Sequence, residues 1–312
     1  MNNSSPFNIT ANTPSIDINS ENIYDVVIVG AGPVGLATAI GFHERGLENV
    51  LVIDQTRAFR PVGRIIDILP NGLKALKLLS YQAYEALINA TKQDYEKGAA
   101  VGQPKTQPRW SFRDVRGKEI HSLVLSNEYW VQKYGEGRIS TSWYGLQTTL
   151  RNCLPVNWIQ VNHRCVGFDE DPEAGLVYLN CTSQSASGNN PYAHWTEQGQ
   201  QPQAVTGQII KDEQMEMTIP ARLVIAADGI NSTLRRVMYR NKPYEDYAKP
   251  HYSGFSAIFC LEIFEVPEAL QQELNRRFFQ DSPVVTVWGE EVCPEPMVDA
   301  APRIMMVRHL RH

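Results

Sequence analysis

The sequence predicts an α/β fold: a parallel sheet wound around a crossover helix near the N-terminus, followed by a more β-rich remainder. Three stretches carry that prediction. Between Tyr24 and Asp54 a Val- and Ile-rich run stops at Gly30-Ala31-Gly32-Pro33-Val34-Gly35. An apolar segment then continues at helical spacing to Gly46, and a second β-branched run, Val50 to Ile53, ends in Asp54. This is strand, glycine turn, helix and parallel strand. Farther on, Ala221 to Ala227 is a nearly continuous apolar run that ends in Asp228-Gly229, the pattern of a buried strand. From His251 the patterning is mostly β, with strands over Gly254 to Ile263, Val284 to Trp288 and Ile304 to Val307 and a helix from Pro267 to Phe279.

The first stretch has the chemistry of a Rossmann-like dinucleotide site. Gly30 permits the tight turn, Gly32 lets backbone approach a pyrophosphate, and Gly35 lets helix and strand pack closely. Phosphates would sit on the helix N-terminus beside Pro33, where free N–H groups and the dipole favour negative charge. Asp54 falls about 20 residues after Gly35, at the end of the second strand, where a carboxylate accepts hydrogen bonds from a ribose diol. The glycine pattern alone is weak evidence; with the strand before, the helix after and the acid at that distance it points to dinucleotide binding. It does not choose between FAD and NAD.

Composition bounds the rest. The 312 residues suffice for one large or two ordinary domains, and 43% hydrophobic with 20% charged residues is the make-up of a soluble globular protein. A net charge of -5 gives no electrostatic reason to expect a nucleic acid or an acidic membrane as partner. Cys153, Cys165, Cys181, Cys260 and Cys293 are scattered, without CxxC or zinc-type spacing, so they read as free thiols in a reducing compartment. His309 and His312 read as solvated, and no metal site is expected. The start, MNNSSPFNIT, lacks a basic region and an apolar core and does not read as a secretory signal. The uncharged stretch from Val26 to Phe42 is explained by the glycine-turn unit rather than by a membrane span. A cytoplasmic protein is expected.

Residues 1–22 read as a flexible tail. Phe59 to Arg64 is a loop by its Pro and Gly, with Arg64 a candidate phosphate-side contact. Pro70-Asn71-Gly72 opens a helix through Leu79, and residues 81–105 begin helical and turn irregular. Arg109 to Arg113 and Lys118 to Leu123 flank Asp114-Val115-Arg116-Gly117 as a hairpin, and Glu136 to Ser140 is a turn. Trp143 to Leu154 has apolar residues on one helical face and is stopped by Pro155. Trp158 to Phe168 and Leu176 to Cys181 form a strand pair. Thr182 to Thr206 is a polar surface insertion. A helix begins in the 230s, for which Asp228 is a candidate N-cap as well as a ligand contact.

Asp228-Gly229 with Ser232 and Arg235, together with GAGPVG and LPNGLKAL, resembles the class A FAD-dependent monooxygenases, the aromatic hydroxylase family that includes para-hydroxybenzoate hydroxylase. The resemblance runs over residues 24–260. It implies that Gly30, Gly32, Pro33, Gly35 and Asp54 hold the ADP part of FAD, with Arg64 on the phosphate side, and that Asp228 and Gly229 contact FAD and bear on NAD(P)H binding. It implies an FAD-binding domain with a β-meander over 23–80 and 140–242, including the 182–206 insertion. The substrate domain, mostly β, would then take 81–139 and 243–312.

The chemistry it implies belongs to the flavin: NAD(P)H reduces FAD, O2 adds to give a C4a-hydroperoxide, and oxygen passes to a small aromatic or olefinic substrate. No catalytic side chain is assigned; His163, His251 and Tyr252 read as solvated or packed. Two departures from the family stand out. Trp143 occupies the place of a usual Arg at a helix start, and the family's third motif, a Gly-Asp segment, is absent, since the sequence contains no Gly-Asp pair. The expectation is therefore a monooxygenase incomplete at its C-terminus, or a truncated flavin-binding remnant without turnover. An NAD-dependent dehydrogenase, a flavin halogenase or a reductase is a lesser alternative.

Overall fold

A computed structural model describes residues 22–56, 58–59, 65–98, 108–184, 214–251, 266–280, 282, 284–288 and 303–307. The chain divides into two compact units. The first takes in residues up to Ile66, Ala75–Ala90 and Thr141–Pro250; the second takes in Asp67–Lys74, Thr91–Ser140 and residues from His251 on.

In the first unit, β1 (Tyr24–Val29), α1 (Pro33–His43) and β2 (Val50–Ile53) form the predicted crossover, and β1 and β2 pair in parallel, Val26 with Val50 through Val29 with Ile53. Both strands are buried along their apolar runs, because a parallel sheet is covered on both faces. Helix α1 is apolar nearly all round and buries Gly35, Leu36, Ala39, Ile40 and Gly41.

β3 (Ile65–Ile68), α2 (Pro70–Leu79), α3 (Tyr81–Gly98), β4 (Arg109–Asp114), β5 (Glu119–Val124), α4 (Asn127–Tyr134) and β6 (Ile139–Ser142) follow, and β3 pairs with β6. Then come α5 (Trp143–Arg151), β7 (Ile159–Gln160), β8 (Arg164–Asp171), β9 (Leu176–Gln184), β10 (Gln214–Ala226) and α6 (Thr233–Tyr239). The sheet of the first unit has the order β7-β2-β1-β10-β9-β8. Its first four strands are parallel, and β8-β9-β10 is an antiparallel meander. One apolar cluster joins the two halves through Val27, Val29, Leu51, Ile53, Leu179, Ile219 and Leu234.

Several expectations are corrected here. The single strand expected over Trp158–Phe168 is two: Ile159–Gln160 pairs with β2, and the chain turns at Asn162 (φ 61°) before β8 crosses to the other side of the sheet. Positive φ is tolerated by Asn, whose short polar side chain bonds locally. β9 runs through Gln184 and takes up the start of the expected insertion; residues 185–206 lie outside the described residues, as does the N-terminal tail. The strand leading to Asp228 begins at Gln214 rather than Ala221. It pairs with β9 as far as Ala221 and with β1 from Ala221 on. Past Ala221 no described strand continues on the β9 side, and Leu223 is 47% exposed instead of buried.

In the second unit, β11 (Val284–Trp288) and β12 (Arg303–Val307) complete a sheet of order β12-β11-β4-β5, after the helical stretch α7 (Glu268–Leu274) and its continuation through Phe279. The predicted β4–β5 hairpin turns at Gly117 (φ 86°). The strand expected over Gly254–Ile263 lies outside the described residues. Helix α4 was not expected: Ser126 caps its start by accepting from the Tyr129 N–H, and left-handed Gly135 ends it.

Candidate functional site

The C-terminal ends of β2, β1 and β10 lie side by side, since Ile53 is opposite Val29 and Val29 is opposite Ala226. The parallel pairing therefore brings the glycine turn after β1 and the Asp228 turn after β10 together, although they are far apart in sequence. Ligands of open α/β sheets bind at this end of the strands.

Gly30 has φ +111°, and a Cβ there would stand 2.3 Å from the Ala227 carbonyl oxygen and 3.1 Å from the Asp228 nitrogen. Its N–H donates to Ile53 O at 2.7 Å, and Ala227 N–H donates to Val29 O at 2.8 Å. A Cβ on Gly35 would meet Gly30 O at 1.9 Å, which fixes α1 hard against the turn. Gly32 differs: a Cβ there meets nothing among the described residues within 4 Å. Gly32 is the N-cap of α1, Pro33 follows it, and the first turn has neither a side-chain cap nor an acidic residue. The helix start thus faces open space with its amides free of side chains, the setting in which a phosphate is bound.

Asp54 lies beside this cradle. Its Oδ2 accepts from the Ala31 N–H at 2.8 Å and its Oδ1 from the Thr56 N–H at 2.7 Å. A carboxylate has about four lone-pair sites, so acceptor capacity is left for ribose hydroxyls. The backbone of Asp54 is pinned on both sides, its N–H donating to Gln160 O and its C=O accepting from the His163 N–H. Neutral His163 donates from Nδ1 to Val161 O at 2.6 Å; burial holds its imidazole below the ordinary value, with the Val161 bond working the other way.

Asp228, weighed from sequence as an N-cap and as a ligand contact, is not the N-cap residue of α6 but does bond to its first turn. Its Oδ2 accepts from the N–H groups of Thr233 (2.7 Å) and Leu234 (3.3 Å) at the start of α6, while Ser232, the N-cap itself, accepts from Arg235 N–H. Its Oδ1 is buried and has no hydrogen-bond partner among the described residues. A buried carboxylate oxygen left without a donor is costly, and a hydroxyl of a bound ligand would satisfy it. Gly229 (φ +82°) leaves open space where a side chain would stand. Arg64 lies outside the described residues. Arg235 is occupied within the protein, donating to Ala248 O and Ile230 O.

Two residues escaped the sequence reading. Gln147 on α5 donates from Nε2 to Ala31 O at 2.8 Å, holding the glycine turn from the side opposite Asp54. Arg151, one turn on, lays its guanidinium 3.9 Å over the Phe59 ring and keeps Nη1 buried without a partner among the described residues; burial pulls its pKa down. Both were visible only as polar positions on an amphipathic helix.

Residues 25–61 match the family model described as FAD binding domain. A phenazine 1,6-dicarboxylic acid hydroxylase of Lysobacter antibioticus is 40% identical over 115 residues, 33% of this chain and 27% of its own length. An FAD-dependent monooxygenase of Gibberella moniliformis is 23% identical over 246 residues, 75% of this chain and 44% of its own length. Both of these relatives are flavin-type or hydroxylating enzymes to which the chain is similar over part of its length. The chain spans less than half the length of either of these two. Among solved structures, a p-nitrophenol 4-monooxygenase of Pseudomonas putida overlays 69% of this chain and 43% of its own at 19% identity, with a TM-score of 0.45, a likeness too loose to speak to activity.

The matched family model is one for FAD binding, and the residues present fit that cofactor. The unfilled space at Gly32, the uncapped start of α1, the acceptor capacity of Asp54 and the orphaned Asp228 Oδ1 are each what a dinucleotide bearing phosphates and hydroxyls requires.

Proposed function

We propose that this chain carries the FAD-binding part of an NAD(P)H-dependent monooxygenase acting on a small aromatic or olefinic substrate. The observation behind this reading is the convergence at Gly30, where the first glycine of one turn packs on Ala227 and Asp228 of the other. Reduced by NAD(P)H, FAD supplies the activation of O2.

The protein's own part is to bind and orient. Gly30, Gly32, Pro33 and Gly35 cradle the pyrophosphate at the start of α1. Asp54 accepts from the adenosine ribose while holding Ala31 and Thr56, and Gln147 keeps the turn from rotating away. Asp228 Oδ1 and the open backbone at Gly229 receive a hydroxyl of the dinucleotide, while Asp228 Oδ2 keeps α6 in place. Arg64 is assigned to the phosphate side by its place in sequence alone. Substrate and O2 are the remaining partners.

The test is anaerobic mixing of the FAD-loaded chain with NADH or NADPH, followed by admission of O2 with a panel of phenols and olefins. Bleaching of the flavin and a hydroxylated or epoxidised product are expected. A loaded flavin that neither nucleotide bleaches would overturn the enzyme reading and leave the chain as a flavin-binding protein without turnover.

A further inference from the structure

Cys165 on β8 and Cys181 on β9 are direct cross-strand partners in an antiparallel pair. Both are free thiols, 6% and 1% exposed, and both belong to the apolar cluster that includes Leu234 of α6. Directly opposed residues of antiparallel strands have Cα atoms about 4.5 or 5.5 Å apart, and both values fall in the roughly 4.4–6.8 Å window of disulfides. The register breaks immediately after Cys165, between it and Gly167, which gives the β8 backbone local freedom to adjust.

We propose that Cys165 and Cys181 form a redox modification site that closes to a disulfide on exposure to hydrogen peroxide. The first step joins the Cys165 sulfur to one oxygen of the peroxide and breaks the O–O bond. The other oxygen leaves as hydroxide, takes up a proton and becomes water, and Cys165 becomes a sulfenic acid. The Cys181 sulfur, on surrendering its proton, then attacks the Cys165 sulfur; the S–S bond forms, the S–O bond breaks, and a second water leaves. Two thiols and one peroxide give one disulfide and two waters: the sulfurs together lose two electrons and the peroxide oxygens gain them.

The reduced pair is set up for this order. Cys165 donates weakly from Sγ to Gly167 O at 3.4 Å. Cys165 is the more exposed of the two, and its neighbour Cys165 together with burial holds the Cys181 thiol well above its ordinary value, which favours Cys165 as the first to react. The charge of Asp228 reaches Cys165, so the pair lies within electrostatic range of the aspartate assigned to the cofactor. β8 is the sheet edge on which α6 packs, and closure would tie that edge to β9. Only the source of the peroxide rests on the proposed function, because a flavin that activates O2 without transferring oxygen releases peroxide. The thiol chemistry does not.

The test treats the full chain, without flavin, with hydrogen peroxide, alkylates remaining thiols in denaturant and maps the peptides by mass. The expected result is a Cys165–Cys181 linked peptide pair lighter by two hydrogens and restored by dithiothreitol, with Cys153 absent from it. In Cys181→Val, dimedone should trap a sulfenic acid on Cys165. Cys165 and Cys181 recovered as alkylated thiols, or linked instead to Cys260 or Cys293, would overturn the proposal. The wild-type map decides by itself if the variant does not fold. Loss of flavin binding would sink the proposed function and leave this result untouched.

Discussion

Gly30 rests on Ala227, with 2.3 Å between the position of a Cβ at Gly30 and the Ala227 carbonyl oxygen. A Cβ at Gly32, two residues on, would meet nothing among the described residues within 4 Å. The two glycines therefore do different work. Gly30→Ala meets backbone at positive φ and should destabilise the first unit by at least about 2 kcal/mol. Gly32→Val should leave stability within about 0.5 kcal/mol, the range of surface changes, and weaken FAD at least tenfold by filling the phosphate space. Urea denaturation and flavin titration of the two variants separate the effects.

Asp54 holds two backbone amides, so Asp54→Ala should cost about 1–3 kcal/mol in stability through the N–H groups left behind, and most of the FAD affinity. Asp54→Asn retains one acceptor oxygen and should fall between the wild type and the alanine variant in both measurements.

Asp228 separates in the same way. Asp228→Asn, with its amide oxygen toward Thr233 and Leu234, should preserve α6 while weakening FAD several-fold. Asp228→Ala should lose about 1 kcal/mol of helix-capping stability in addition. Equal flavin affinity in wild type and both variants would remove Asp228 from the cofactor site.

His163 gives the first unit a pH dependence. Burial depresses its folded pKa below the ordinary 6.5, so the unfolded chain takes up the proton first as pH falls. Stability is full above 6.5 and declines below it until folded His163 also protonates. The slope cannot exceed about 1.4 kcal/mol per pH unit for one proton. His163→Gln should flatten this decline in denaturation midpoints measured between pH 8 and 5, and wild-type stability unchanged over that range would refute the assignment.

What could be read in the sequence was what local chemistry dictates. Gly30, Gly32, Gly35 and Asp54 are required where they stand by one turn and the strand that follows, and Asp228-Gly229 announces itself at a strand end. What could not be read depends on distant pairing. That Gln147 reaches Ala31 is a fact about how α5 meets the turn, with no periodic signal. The break at Asn162 was hidden because Trp158–Phe168 carries β-patterned residues throughout, although its ends pair on different sides of the sheet. Helix α4 left a legible trace, a capping Ser126 and a stop at Gly135, obscured by the aromatic residues Tyr129, Trp130 and Tyr134 between them.

The central claim is that two turns brought together by β1 and β10 hold FAD. The most direct measurement is the visible spectrum of the purified chain titrated with FAD, followed by gel filtration to remove what is free. The account predicts that about one flavin per chain is retained and that Gly32→Val abolishes retention. A chain that elutes colourless at every FAD concentration while remaining folded would contradict it.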